Sequence, residues 1–303
     1  MNFSLIIPHK NIPDLLQRLL DSIPHRTDME IIIVDDNSDP QIVDFNNFPG
    51  KDRQDVKIIF DKEGKGAGAA RNIGIDNSTG KWLLFADSDD IYTSSLDEFL
   101  DENITCENDV IYFKCEVINS KEKPYTISYM NLFIDNYIKG KGSVDDVKYG
   151  AWEPWNKLVK YSLVRDNNIR FDEITTSNDK MFSLRLGYYA KSIKVTDKII
   201  YKYILRSGSI VHSKNRLRFI NSFNTIIEQN SLYHEVNYKR KVFLPYYFIR
   251  NRNFLNKDII GRYFKYLIRY RANPLEGLFS YLFFYYKTKK EIKSRFNQNQ
   301  QKK

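Results

Sequence analysis

Apolar residues in the first ninety positions form four short continuous runs and one run with helical spacing. The runs FSLIIP, EIIIVDD, VKIIFD and KWLLFADSDD are rich in β-branched residues and predict four strands. Helical spacing predicts a first helix after the first strand, with Asp14 as its N-cap and with the apolar face Leu15, Leu16, Leu19, Leu20 and Ile23. The segment GKGAGAARNIGIDNSTG predicts a glycine-rich entry into a second helix that Gly80 closes.

This order of elements predicts an α/β fold. Strand, helix, strand, strand, helix, strand is typical of a mixed, mostly parallel sheet. Nearly continuous apolar strands are typical of a sheet that is covered on both faces. Ligands bind such sheets beyond the carboxyl ends of the strands, so a functional site is expected there.

Two predicted strands end in acidic clusters, Asp35-Asp36 and Asp87 to Asp90. Aspartates also occur as loop residues and helix caps, but two clusters beside a glycine-rich helix entry favour a ligand site. Paired carboxylates suit Mg²⁺ or Mn²⁺ completed by substrate phosphates, and such an ion stabilises charge on a leaving phosphate. Arg71, near the start of the glycine-rich helix, could approach a phosphate or orient the carboxylates.

Four motifs carry a resemblance to a known family. SLIIPHKN, EIIIVDDNS, GAGAARNIGI and LLFADSDD occur in the order and at about the spacing of glycosyltransferase family 2, which the chain resembles over residues 1–212. The resemblance implies a GT-A catalytic domain over 1–212, followed by a basic, aromatic-rich helical region over 213–303. It also implies inverting, metal-dependent transfer of a hexosyl or N-acetylhexosaminyl group. The implied donor is a nucleotide-diphosphate sugar, commonly a UDP-sugar, and the acceptor a glycan or lipid-linked acceptor of surface polysaccharide synthesis.

The resemblance also assigns roles to residues. It implies a donor site formed by Pro8, Asp35, Asp36, Arg71, Asp87 and Ser88. It implies that Asp89, together with Asp87, holds Mn²⁺ or Mg²⁺ against the diphosphate, with His212 as a further candidate ligand.

An inverting transfer needs a base that takes the proton of the acceptor hydroxyl. Asp179 precedes an apolar helical pattern, and its local sequence is also that of an N-cap. The resemblance places the catalytic aspartate here, usually after a glutamate, whereas this chain has Asn178. Asn178 and Trp155 are candidate acceptor contacts, although tryptophans are more often packed in the interior.

Charge divides the chain into two parts. The net charge is +9, with about +16 in residues 206–303 and −7 before them, and 20 of the 44 aromatic residues lie in that basic part. The segment DIIGRYFKYLIRYR predicts an amphipathic helix with one apolar side, Ile259, Ile260, Tyr263, Phe264, Leu267 and Ile268. We expect it to bind an anionic membrane surface; packing on the catalytic domain is the alternative.

The start of the chain has no signal-peptide pattern, and two cysteines, Cys106 and Cys115, are expected to be reduced. We therefore expect a cytoplasmic protein, peripheral at the inner face of the cell membrane. Two other functions fit the sequence less well. A sugar-nucleotide nucleotidyltransferase would have a basic glycine-rich loop after the first strand, where IIPHKNIPD has none. Nucleic-acid binding by the basic part would leave the acidic motifs unexplained, so we expect no nucleic-acid partner.

Overall fold

The structure is a computed structural model that describes residues 1–119, 131–205 and 215–282. The chain divides into two compact units, Met1–Ser213 and Lys214–Lys303. The domain boundary expected after residue 212 stays a prediction, because residues 206–214 lie outside the described part.

The first unit is built on one mixed sheet. In the described residues its strands are β1 Phe3–His9, β2 Met29–Asp36, β3 Val56–Asp61, β4 Trp82–Phe85, β5 Ile91–Tyr92, β6 Val110–Asn119, β7 Lys157–Lys160 and β8 Ile193–Leu205. Their order across the sheet is β3-β2-β1-β4-β7-β6-β8-β5. Strands β1 to β4 pair in parallel, as do β6 and β8, whereas β7 and β5 run antiparallel to their neighbours. The α/β class and the mixed, mostly parallel sheet are therefore confirmed.

Helices cover both faces of this sheet, as the continuous apolar strands predicted. The helices of this unit are α1 Pro13–Asp21, α2 Ala67–Asp76, α3 Leu96–Asp101, α4 Leu132–Ile138, α5 Val144–Gly150, α6 Tyr161–Asp166 and α7 Lys180–Tyr189, with a 3₁₀ turn at Pro154–Asn156. One core layer packs α1 and α3 against one face of the sheet. A second core layer packs five helices against the other face, namely α2, α4, α5, α6 and α7. Because β1, β2 and β4 are parallel, their carboxyl ends meet at one edge.

Two predicted helix ends are wrong. Helix α1 has Ile12 at its N-cap, and Asp14 lies inside the first turn, because Pro13 occupies the first helical position. Helix α2 ends at Asp76 with Asn77 as its C-cap, not at Gly80. A Cβ on Gly80 would lie 2.6 Å from the backbone of Phe3 and Ser4. This glycine therefore permits close packing on β1 and does not cap a helix.

The second unit is helical, which confirms the predicted helical C-terminal region. It contains α8 Arg216–Glu235, α9 Leu244–Arg250, a 3₁₀ turn at Arg252–Phe254, and α10 Lys257–Tyr270. Its own core is formed by Phe219, Phe223, Ile226, Leu244, Ile259 and Tyr266. Among the helices of the described residues, none is both long enough and apolar enough to cross a membrane.

Candidate active site

A buried histidine–aspartate pair lies at the carboxyl ends of β1 and β2. His9 Nδ1 lies 2.7 Å from Asp35 Oδ1, and the Ser38 hydroxyl and backbone N–H donate to the same carboxylate at 2.6 and 2.9 Å. Burial disfavours ionisation of Asp35, but these hydrogen bonds outweigh it and lower the pKa of the carboxyl. Both oxygens of Asp35 thus bind protein groups, which favours a positioning role. Its predicted contact with the donor stays a prediction.

His9 was not predicted to take part. The signal for it lies in strand register, because His9 pairs with Asp35 as the last residue of β1. The predicted donor residue Pro8 precedes it on β1, opposite Val34. A local pattern cannot supply this register, which depends on how two strands align side by side.

Asp36, next to Asp35, holds the glycine-rich entry into α2. Its carboxylate accepts a hydrogen bond from the backbone N–H of Gly66 at 2.8 Å and one from Lys10 Nζ at 3.2 Å. Gly66 has φ 96°, a backbone conformation that favours glycine. Asp36 therefore fixes the loop that leads into the helix carrying Arg71.

Arg71 connects two distant parts of the chain. One end of its guanidinium donates to Asp87 Oδ1, and Nη1 donates to Asn178 Oδ1 at 3.2 Å. The guanidinium also lies 5.2 Å from the ring centroid of Phe171. The side chain is 5% exposed, so it is fixed from several sides. It brings the acidic turn after β4 next to the segment that leads into α7.

Close packing of α2 makes this link possible. A Cβ on Gly68 would lie 2.3 Å from the backbone oxygen of Asp172 and 3.1 Å from Cβ of Asn178. Only glycine allows the first turn of α2 to approach the segment 172–178 so closely. Gly68 of the glycine-rich entry therefore serves the packing of two segments.

The acidic turn Asp87 to Asp90 alternates between buried and partly exposed residues. Ser88 and Asp90 are buried, whereas Asp87 keeps 32% of its side chain exposed and Asp89 is half-buried. Asp90 accepts hydrogen bonds from the Tyr201 hydroxyl at 2.8 Å and from the backbone N–H of Ile204 at 2.7 Å. Asp90 therefore anchors the turn to β8, whereas Asp87 and Asp89 stay partly exposed.

Tyr201 is a second residue that sequence reasoning missed. Its hydroxyl accepts a hydrogen bond from the backbone N–H of Asp87 at 2.9 Å while it donates to Asp90. Tyr201 is 114 residues from Asp87 in the chain. This hydroxyl therefore forms hydrogen bonds to both ends of the acidic turn.

The carboxylates of this region influence one another. Burial raises the pKa of Asp87, Arg71 opposes that rise, and the charges of Asp89 and Asp179 add to it. Asp179, predicted as the base, therefore lies in the same electrostatic neighbourhood as the acidic turn. A region that gathers like charges in this way favours a cationic ligand.

The donor set fits a hard divalent cation that a substrate completes. Within the described residues, no three His, Cys, Asp or Glu side chains form a ready metal site. Mg²⁺ and Mn²⁺ are commonly held by one or two carboxylates plus phosphate oxygens, which Asp87 and Asp89 can supply with a diphosphate. The third candidate ligand, His212, lies outside the described residues.

Asp179 occupies the N-cap position of α7, yet its carboxylate accepts no capping hydrogen bond. The alternative interpretation as an N-cap is therefore confirmed for its position, whereas its side chain does not cap the helix. The preceding Asn178 is held by Arg71 and donates to the Ile174 carbonyl at 3.3 Å. This amide cannot take up a proton, so it acts on the position of the segment before Asp179.

A buried group of charges lies beside Asp179. Lys157 is 0% exposed, and its Nζ donates to the carbonyls of Ala151 and Glu153 and to Asn156 Oδ1. Burial lowers the pKa of Lys157 to about 7 and raises the pKa of Glu153, and the Asp179 carboxylate interacts with both groups. Trp155 of this segment was a candidate from the sequence, and the burial of the charged groups comes from the structure alone. No local pattern distinguishes a buried lysine from an exposed one.

The two tryptophans of this segment differ in their surroundings. Trp155 is 3% exposed and stacks on Tyr201 at 4.8 Å and on Tyr203 at 5.7 Å. Its ring is therefore part of the packing, and its predicted acceptor role stays a prediction that this packing does not favour. Trp152 is half-buried, and Lys180 Nζ lies 4.4 Å from the ring centroid.

Comparisons with known proteins identify a family for this chain. The family model described as "Glycosyl transferase family 2" matches residues 4–165. A poly(ribitol-phosphate) beta-glucosyltransferase of Bacillus spizizenii is 31% identical over 214 residues, which are 68% of this chain and 32% of that protein. Poly(ribitol-phosphate) beta-N-acetylglucosaminyltransferase TarS of Staphylococcus aureus is 27% identical over 224 residues, 70% of this chain and 37% of TarS. The chain thus spans about a third of the length of these two relatives.

Solved structures confirm the GT-A fold class. The crystal structure of S. aureus TarS 1-349 in complex with UDP-GlcNAc has a TM-score of 0.63 and 22% identity, covering 77% of this chain and 66% of that one. The mannosyltransferase PcManGT from Pyrobaculum calidifontis, in complex with GDP-Man and Mn²⁺, has a TM-score of 0.52 and 12% identity. It covers 76% of this chain and 63% of its own. At these identities the likeness concerns the fold alone.

Proposed function

The chain belongs to glycosyl transferase family 2, and we propose that it is an inverting, metal-dependent glycosyltransferase acting in bacterial surface polysaccharide synthesis. The observation that carries the proposal is Arg71, which contacts both Asp87 of the acidic turn and Asn178 beside Asp179. One buried side chain thereby joins a residue proposed for the donor to the segment that precedes the residue proposed as base. An in-line transfer needs the base and the leaving diphosphate on opposite sides of the anomeric carbon of the sugar.

The donor is proposed to be a nucleotide-diphosphate sugar, with a UDP-sugar as the first candidate. Asp36 and Pro8, on the strand ends next to the α2 entry, would face the nucleoside. Asp87, Ser88 and Asp89 would face the ribose and diphosphate. A divalent cation held by Asp87 and Asp89 would supply positive charge to the departing diphosphate. The TarS crystal structure is a complex with UDP-GlcNAc, which supports this donor class.

Asp179 is proposed to take the proton of the acceptor hydroxyl. The hydroxyl oxygen then forms a bond to the anomeric carbon while the bond from that carbon to the phosphate oxygen breaks. The electron pair of that bond leaves with the nucleoside diphosphate. Attack from the side opposite the leaving group inverts the configuration of the anomeric carbon. A positioned base of this kind contributes about 10²- to 10⁴-fold to the rate.

The acceptor is proposed to be a surface glycan or its lipid-linked precursor. The names of the two relatives given above describe enzymes that act on poly(ribitol-phosphate), which supports a polymeric acceptor. We propose that the protein acts in the cytoplasm, at the inner face of the cell membrane, where a lipid-linked acceptor would be presented.

A donor screen tests the proposal. The melting temperature is measured with UDP-glucose, UDP-N-acetylglucosamine and GDP-mannose, each with and without Mn²⁺, because a ligand that binds only the folded state raises it. We expect a UDP-sugar to raise it more with Mn²⁺ present, and to release UDP slowly when incubated with the protein. Equal behaviour of all donors, with no UDP release, would contradict the proposed activity.

A further inference from the structure

The apolar side of α10 is wider than the core that it packs against. Ile259 is buried, and Tyr263 and Leu267 pack against the same cluster of the C-terminal unit. Ile260, Phe264 and Ile268, which the sequence placed on that same side, are instead 41%, 56% and 78% exposed. The helix therefore uses about half of its apolar stripe inside the unit and presents the rest to solvent.

The exposed half forms one line along the helix, which we call the outward row: Ile260, Phe264 and Ile268. Residues four apart lie one turn above each other on the same face. Three exposed basic residues accompany it, each three positions from a member of the row, and we call them the basic flank: Lys257, Lys265 and Arg271. A Cβ on Gly261, one position after Ile260, would meet nothing within 4 Å, so the surface there is open.

We propose that the outward row and its basic flank dock α10 onto an anionic lipid bilayer, with the helix lying in the plane of the surface. A large apolar row beside lysine and arginine is the pattern of an interfacial helix, whose apolar side enters the boundary of the acyl chains. The basic groups then lie at the level of the acidic headgroups. This inference deepens the proposed function, because it names the surface by which the enzyme reaches a lipid-linked acceptor.

Charge decides between the bilayer and two other occupants. A second copy docked face to face would bring the two identical basic flanks close together, and their like charges would repel each other. Residues 283–303 carry seven Lys or Arg and one Glu, so this segment is also a poor electrostatic match for the flank. An anionic surface is complementary to both the flank and the net charge of the C-terminal region, and the one exposed carboxylate of α10, Asp258, is paired with Arg262.

Vesicle binding by the full chain tests the proposal. The partition coefficient is measured by co-sedimentation with phosphatidylcholine vesicles and with vesicles that also contain phosphatidylglycerol. Ile268→Ser is compared with the matched control Ile42→Ser, a similarly exposed isoleucine of the first unit at 53% exposure. A second variant, Lys265→Glu, reverses one charge of the flank.

We expect binding to anionic vesicles to be about a hundredfold stronger than to neutral ones, as three basic groups contribute roughly a factor of five each. Ile268→Ser should weaken this binding about tenfold, since the variant lacks the isoleucine side chain that enters the bilayer. Lys265→Glu should weaken it by at least a similar factor, and added salt should weaken it further. Ile42→Ser should bind like the unmodified protein.

Three outcomes would overturn the inference. They are equal binding to both kinds of vesicle, unchanged binding of Ile268→Ser, or lipid-free self-association that Ile268→Ser abolishes, which would make the row an interface between copies. UDP release from the donor is measured without lipid on the same variants, with melting temperature as the check of folding. If neither the unmodified protein nor its variants release UDP, the proposed sugar transfer is contradicted. The vesicle measurements test the docking surface independently of that result.

Discussion

Nη1 of Arg71 lies 3.2 Å from Oδ1 of Asn178, although 107 residues separate them in the chain. The same guanidinium donates to Asp87, so its planar fork fixes two oxygen atoms from different segments. The position of the acidic turn and that of the segment before Asp179 are therefore coupled. A substitution of Arg71 should therefore shift both the acidic turn and the segment before Asp179.

Substitution of Arg71 tests this coupling. Arg71→Lys should lower kcat about a hundredfold, because a single ammonium cannot hold both oxygens and small misplacements of reacting groups cost that much. Steady-state transfer kinetics measure the effect. Arg53→Met is the control, since Arg53 pairs with Asp55 at the opposite, amino end of β3. A wild-type kcat in Arg71→Lys would show that the fork is not needed.

Asp179→Asn should keep donor binding and lose transfer. The amide cannot accept the acceptor proton, so kcat should fall by about two to four orders of magnitude. Single-turnover transfer and donor affinity are measured together. Glu173→Gln, an exposed carboxyl of the same segment, should leave kcat within about twofold. Weaker donor binding with an unchanged kcat in Asp179→Asn would assign the residue to the donor and not to the proton.

Removal of a carboxylate from the acidic turn should remove the metal response. In Asp89→Asn, Mn²⁺ should no longer add to the rise in melting temperature that UDP causes, because a neutral amide is a weaker ligand for a hard cation. In the unmodified protein, a chelator should abolish the same increment. Asp21→Asn, an exposed position on α1, should respond like the unmodified protein. A full Mn²⁺ increment in Asp89→Asn would refute the metal assignment.

Acid should weaken the fold partly through Asp35. Its pKa in the folded protein lies below the ordinary 3.8, so the native state binds fewer protons than the unfolded chain in that range. The stabilisation it contributes is complete above about pH 4 and is lost as the pH falls through the lowered native pKa. Asp35→Asn should cost about 1–3 kcal/mol at pH 7, since buried hydrogen bonds from His9 and Ser38 are impaired.

Urea unfolding at a series of pH values checks this prediction. The difference in free energy of unfolding between the unmodified protein and Asp35→Asn should shrink steadily below pH 4. Asp52→Asn is the control, because Asp52 is an exposed carboxyl of the first unit. A difference that stays constant with pH would mean that Asp35 does not titrate as the structure implies.

Much of the fold could be predicted because it rests on local chemistry. Four β-branched runs became β1 to β4, and the aspartates after two of them lie at the carboxyl ends, as a parallel sheet requires. Helix ends were less predictable. Aspartate is a frequent N-cap residue, but Pro13 is the first residue of α1, so Asp14 lies inside the first turn. Cys106 and Cys115 are free thiols, in agreement with the expectation from their number.

The sequence by itself determined the strand runs, the acidic clusters and the amphipathic period of α10, because each depends on neighbours within a few residues. Only the tertiary structure decided which groups complete the site. His9 meets Asp35 through strand register, Tyr201 reaches Asp87 across 114 residues, and Lys157 is buried beside Asp179. It also decided which half of the α10 stripe is covered. These outcomes depend on the order of strands in the sheet and on what packs against each face, and no short segment encodes either.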